Sequence, residues 1–148
     1  MNRMLRRARN EDGSTLLLAI FYGMLSLSVI LLVAATTSLY LERKRLYSLA
    51  DAAALVGAEA FELSSVSLDG GEPSVTVRSP RVRAAVADFL EDNPVGAFDA
   101  LTLENAGSQD GRSATVTVSS AWRPPVLTLF VADGIRLEVT AVARSVFR

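Results

Sequence analysis

From Thr15 to Leu41 the chain reads TLLLAIFYGMLSLSVILLVAATTSLYL, 27 residues without a charge. As an α-helix this run reaches about 40 Å, against roughly 30 Å of bilayer hydrocarbon, so it is long enough to cross a membrane. The segment that follows changes character without a helix breaker. Over residues 42–63, Leu46, Leu49, Ala50, Ala53, Val56, Gly57 and Ala60 recur at three- and four-residue spacing and form one apolar face of mostly small side chains. Lys44, Ser48, Asp51, Glu59 and Glu62 fall on the other side, with Leu55 the one large apolar residue among them. Two uses of that face are compatible. It can lie on a sheet of its own domain, and its small residues allow the close backbone approach that lets neighbouring helices pack.

Beyond residue 63 the pattern shifts. Residues 64–78, SSVSLDGGEPSVTVR, carry Asp69-Gly70-Gly71 and Pro73, which predict a loop or a short hairpin. An amphipathic helix is predicted over 79–93, with Ser79 as N-cap and Pro80 at its first position. Val82, Ala85, Val86, Phe89 and Leu90 make its apolar stripe, and Asn93-Pro94 ends it. The remainder alternates with period two. A strand over 98–104, a loop NAGSQDG and a strand over 113–120 predict an antiparallel hairpin. Trp122-Arg123-Pro124-Pro125 closes the second strand, because prolines cannot donate to a ladder. Residues 126–131 are a short apolar segment, read as a helical turn. Asp133-Gly134 then leads into a last strand with Ile135, Leu137, Val139 and Ala141 on one face and Arg136, Glu138 and Thr140 on the other. The fold class expected is α+β: a long N-terminal transmembrane helix extending into a pilin-like domain, with a second amphipathic helix and a small antiparallel sheet. Its parts are a basic arm (1–14), the span (15–41) and an extracytoplasmic domain (42–148) with antiparallel strands over 98–146.

Charge orients the span. Arg3, Arg6, Arg7 and Arg9 precede it, which keeps the N-terminus in the cytoplasm under the positive-inside rule and places the domain outside. Arg43, Lys44 and Arg45 oppose this, but they lead into a whole domain that can be translocated regardless. A competing reading is a cleaved signal peptide with Val33-Ala34-Ala35 as its small-residue site. The apolar run is far longer than the usual signal core and passes directly into helical sequence. Residues 42–148 hold 11 Lys and Arg against 14 Asp and Glu, a net of −3. An acidic, tethered domain does not offer the basic surface that nucleic-acid binding needs.

The residue inventory excludes much chemistry. With no histidine and no cysteine, the chain has no Ser-His-Asp triad, no Cys nucleophile, no disulfide and no zinc site of the usual kind. Neither G-x-x-x-x-G-K-[ST] nor G-x-G-x-x-G occurs. Asp12-Gly13-Ser14-Thr15 has the opening of a metal-binding D-x-S-x-S loop but lacks its final serine. The expectation is therefore no enzyme, no cofactor, no metal and no small-molecule substrate. Asp51 stands apart: its helical neighbours Tyr47, Ser48, Ala54 and Leu55 include no cation. It is either a solvated carboxylate or one half of an ion pair with an arginine of the globular domain or of an adjacent subunit.

An arginine-rich arm, EDGS at 11–14, a long apolar helix and ADAAALVGAEAF at 50–61 together resemble the N-terminal region of TadE/TadG-like proteins of the tight-adherence (Flp-type) pilus apparatus. The strand VTAVARSV at 139–146 is similar to the end of the shorter TadE-like members. In pseudopilins of this system a peptidase cuts after a glycine, with a glutamate five residues beyond. Gly13 and Ser14 stand at that processing position, whereas Leu18 replaces the glutamate. The resemblance implies a minor pilin-like or accessory subunit of Tad/Flp pilus assembly or secretion in the bacterial cytoplasmic membrane. Its partners would be the membrane and other Tad subunits, met by helix packing. The alternative, from another class, is a membrane-tethered envelope binding or sensor domain unrelated to pili.

Overall fold

The computed structural model describes residues 2–60, 66–69, 72–75, 78–92, 98–124 and 134–144. Helix α1, Asn2–Glu59, is followed by the strands β1 (Val66–Asp69) and β2 (Glu72–Val75), helix α2 (Ser79–Asp92), and the strands β3 (Asp99–Gly107), β4 (Ser113–Trp122) and β5 (Ile135–Arg144). The chain divides into two compact units, Met1–Ser38 and Leu39–Arg148. The arrangement is α+β, with a long apolar helix first, a second helix and a three-stranded antiparallel sheet.

The first unit is helix alone, and its large side chains face outward: Leu16, Ile20, Phe21, Met24, Leu27, Ile30 and Val33 are all exposed. Ser14–Glu59 contains a window long and apolar enough to cross a membrane. Two of its hydroxyls bond to carbonyls of the helix itself, which suits a hydrocarbon environment. Ser28 donates to the Met24 carbonyl at 2.9 Å, and Thr36 shares its proton between the Leu32 and Val33 carbonyls, each at 3.0 Å.

In the second unit the rest of α1 supplies one wall of the core. Leu46, Ala50, Ala53, Ala54 and Ala58 are buried with Val82 and Val86 of α2, Ala106 of β3, Ala114, Val116 and Val118 of β4, and Val139 and Ala141 of β5. Of these thirteen residues all but Leu46 are alanine or valine. Such a core is thin, so the elements stand close together. Larger side chains finish its edges, with Phe89, Leu90, Phe98, Leu101, Leu103 and Leu137 packed half-buried against it. Full burial of each valine contributes on the order of 2 kcal/mol, which must carry a domain that has no disulfide.

The sheet order is β3-β4-β5, with antiparallel pairing throughout. Val116 sits opposite Ala141 and Val118 opposite Val139. This register puts the even-numbered residues of β4 and the odd-numbered residues of β5 on the core side. The other pair, β1 and β2, is an antiparallel hairpin in register Val66↔Val75 and Asp69↔Glu72, so the hairpin arm of the two expectations for 64–78 is the one that forms.

Three sequence expectations change. β3 runs to Gly107, three residues into the segment read as loop, because Asn105, Ala106 and Gly107 pair with Thr117, Val116 and Thr115. The connection shrinks to Ser108–Arg112. Second, Ser79 is not the N-cap of α2. The Arg78 carbonyl accepts from the amides of Arg81 at 3.0 Å and Val82 at 3.1 Å, which makes Arg78 the cap and Ser79 the first helical residue. The Ser79 hydroxyl reaches across the domain, accepting from the Ser108 amide at 2.9 Å and donating to the Ser108 carbonyl at 2.8 Å. Third, α1 ends at Glu59, where the Ala60 amide bonds to the Gly57 carbonyl at 3.3 Å in a tightened last turn. Residues 61–63 of the expected helix extension and the apolar segment 126–131 lie outside the described residues.

Candidate interaction surfaces

The face of α1 expected to serve packing is divided between interior and surface. Leu46, Leu49, Ala50, Ala53 and Gly57 are buried, while Val56 and Ala60 are half-buried. Ala54 and Ala58, which the three-four spacing left out, are buried as well. The tightest point is Gly57. A Cβ there would lie 2.9 Å from Val82 Cγ1, 3.2 Å from Ala114 Cβ and 3.3 Å from Val86 Cγ2. Glycine is needed at this position because α1 touches α2 and β4 together, with no room for a methyl group. The small-residue face is thus consumed inside the chain's own domain.

The remaining surface of α1 is what a neighbour can meet. Tyr47 and Leu55 are exposed large apolar residues on it, and Asp51 is exposed on the same side. Asp51 makes no ion pair or hydrogen bond among the described residues. Gly13 and Ser14 both lie within α1, and the Ser14 side chain is exposed. A further feature escaped the sequence reading. Tyr40, Arg43, Lys44 and Tyr47 line an open recess of about 440 Å³, with the Arg43 guanidinium 5.8 Å from the centre of the Tyr47 ring. The i, i+3, i+4, i+7 spacing of two aromatics and two cations was the available signal.

On the sheet, the side away from the core carries a polar tie across all three strands. The Ser119 hydroxyl, on central β4, donates to Glu104 Oε1 of β3 at 2.6 Å. Arg136 of β5 donates to the same carboxylate oxygen and to Ser119 Oγ, the latter at 3.1 Å. These contacts hold the Glu104 carboxyl below its ordinary pKa, the Ser119 hydrogen bond first and the Arg136 hydrogen bond next. Glu104 reaches this position because the β3–β4 register shifts between Leu103 and Asn105. Nearby, Thr117 and Thr140 pair their hydroxyls across β4 and β5 at 2.9 Å. At the domain's other polar centre, Asp110 Oδ1 accepts from the Arg112 amide at 2.9 Å, the Ser113 amide at 2.7 Å and the Ser113 hydroxyl at 2.8 Å. These donors, the Arg112 amide foremost, hold its carboxyl far below the usual range and shape the β3–β4 turn. Arg123, placed beside Trp122 by the sequence, pairs with Asp99 at 3.7 Å.

The Glu104 carboxylate accepts from the other two strands of its sheet and the Asp110 carboxylate from its own turn. Among the described residues no three acidic side chains converge as metal ligands would.

The family model described as Tad, putative Flp pilus-assembly TadE/G-like, matches residues 13–60. That region is almost coextensive with Ser14–Glu59 of α1, the segment that contains the membrane-length apolar window, and covers about a third of the 148-residue chain. The match supports the TadE/TadG-like resemblance, and with it the class of Tad/Flp pilus-associated membrane proteins carrying one N-terminal apolar helix. No curated protein and no solved structure matches the chain.

Proposed function

We propose that this chain is a non-catalytic, minor pilin-like or accessory subunit of a Tad/Flp-type pilus assembly or secretion apparatus. It is held by a single membrane helix, with its N-terminus in the cytoplasm and its α+β domain outside. The observation that carries this reading is the coincidence of the family match at 13–60 with a helix that is lipid-compatible at one end and domain-embedded at the other. The mechanism is helix packing. The lower part of α1 keeps its large apolar residues outward, so in a bilayer, or later beside other apolar rods, that surface has something to gain from being covered. The small face from Leu46 to Gly57 fixes the domain onto the rod, and Asp51, Tyr47 and Leu55 face outward for a neighbouring subunit.

The deciding experiment is mass determination of the N-terminus of protein recovered from membranes, together with deletion of its gene. A mature start at Ser14 supports entry into a pilin-type processing route despite Leu18, and an intact Met1 supports a permanent accessory anchor. Wild-type pilus output in the deletion strain would exclude both roles.

A further inference from the structure

We propose that Tyr40, Arg43, Lys44 and Tyr47 form a site for the phosphate headgroup of an anionic phospholipid, seating α1 at the membrane surface. The inference rests on α1 crossing a bilayer and adds a specific ligand to that reading. The four residues fall at i, i+3, i+4 and i+7, so they occupy a single stripe of one helix and line one open recess of about 440 Å³. At 3.6 residues per turn this stripe lies about a third of a turn away from the face formed by Leu46, Leu49, Ala50 and Ala53. The domain core therefore uses one side of the helix and leaves this one uncovered, with Tyr40 64% and Tyr47 40% exposed.

The location selects the ligand. The uncharged run ends at Leu41, and its length of about 40 Å matches the hydrocarbon plus much of the headgroup layers. Tyr40 closes that run and the two cations follow within one turn, which is the depth where phosphates stand. Tyrosines settle at that boundary because the ring is apolar and the hydroxyl is wet. Arg43 lies over the Tyr47 ring at 5.8 Å, so its planar fork is held in place before a ligand arrives. A guanidinium donates two parallel hydrogen bonds to phosphate oxygens, and the Lys44 ammonium supplies a second positive charge. No carboxylate lines the recess among the described residues. Zwitterionic headgroups carry a compensating ammonium and gain less from two cations than a phosphatidylglycerol does.

The test uses the full chain in dodecylmaltoside micelles, offered equal amounts of dioleoylphosphatidylglycerol and dioleoylphosphatidylcholine and read by native mass spectrometry. Wild type should retain the anionic lipid in preference by on the order of tenfold, and the double variant R43Q/K44Q should bring that preference close to parity. The charge-matched control R83Q/R112Q, remote from the recess, should keep it. Retention of the full preference by R43Q/K44Q overturns the proposal, as does an equal loss in the control, which would mean net charge alone. Complete displacement of the lipid by millimolar inorganic phosphate overturns it too, in favour of a free-anion site. Should R43Q/K44Q lose its helical circular dichroism, Y40L/Y47L decides in its place, with a reduced preference expected and an unchanged one fatal. Carbonate extraction of native membranes tests the spanning helix separately: release into the supernatant would remove the membrane reading itself.

Discussion

Gly57 of α1 and Val82 of α2 are as close as two elements can come: a Cβ added to the glycine would lie 2.9 Å from a methyl of the valine. Val82 cannot yield easily, because it is fully buried and β-branched, with a stiff χ1. Replacing glycine by alanine inside a helix ordinarily stabilises by about 1 kcal/mol. Overpacking a tight core costs typically 1–3 kcal/mol, and here three contacts at or under 3.3 Å must relax together. The overpacking wins. Gly57→Ala should lower stability by about 1 kcal/mol and Gly57→Val by considerably more, measured by chemical denaturation of the chain in detergent. Gly23 is the internal control, since nothing lies within 4 Å of its added Cβ, and Gly23→Ala should be neutral or slightly stabilising.

The Glu104–Ser119–Arg136 tie predicts a pH dependence with a definite sign. The folded state lowers the Glu104 pKa, so the unfolded state binds a proton first as the pH falls. The stabilisation is complete above the ordinary value of 4.5 and is lost as pH drops through the lowered one. Glu104→Gln should flatten this part of the stability profile between about pH 5 and pH 3 while leaving the neutral-to-alkaline side parallel to wild type. Thermal melts across that range check it. An unaltered acid limb in Glu104→Gln would mean that other carboxylates, Asp110 among them, account for acid sensitivity. Ser119→Ala removes the leading donor and leaves Arg136 in place, so it should lower stability by about 1 kcal/mol and steepen nothing at neutral pH.

How much of this was legible follows from where the information lies. The anchor helix is an unbroken uncharged run, while the Val82–Val86 stripe of α2 and the alternation of Ala114, Val116 and Val118 are periodicities that burial of one face writes directly into the sequence. The extent of β3 was not legible. Asn105-Ala106-Gly107 has turn composition, yet it pairs with Thr117 to Thr115, and a partner strand overrides local preference. Ser79 failed for a similar reason. A serine before Pro-Arg-Val looks like a cap, but its hydroxyl is taken by Ser108, 29 residues away, and no local rule reports that contact. The recess at Tyr40 and Tyr47 is written in the sequence at helical spacing, but two aromatics and two cations on one stripe do not by themselves distinguish a recess from a solvated face.

Ala100 holds a left-handed backbone, φ 50°, at the irregular start of β3 where the register shifts between Asp99 and Thr102. An L-residue with a Cβ pays roughly 1 kcal/mol for that conformation, and glycine does not. Ala100 is exposed, so no packing is lost on removing its methyl. Ala100→Gly should therefore raise stability by up to about 1 kcal/mol, partly offset by the entropy of a freer unfolded chain. A loss of stability in the same denaturation assay would show that the bulge is held by something other than the φ of this residue.

Asp51 separates folding from assembly. It is exposed and unpaired among the described residues, and it lies on the side of α1 that the domain core does not use. No described residue pairs with its charge, so Asp51→Asn should leave the melting temperature and circular dichroism of the isolated chain within error of wild type. If the carboxylate meets an arginine of a neighbouring subunit, the same substitution should weaken co-purification with other Tad-apparatus proteins and lower pilus output. Asp51→Glu should recover part of that loss by keeping the charge one methylene further out. Such an exposed-rim pair contributes about 1 kcal/mol or less once solvent screening is counted, so the expected defect is partial and shrinks as ionic strength rises. Normal pilus output in Asp51→Asn would assign the residue to solvent and shift the search for the neighbouring subunit to Tyr47 and Leu55, the exposed apolar residues on either side of it.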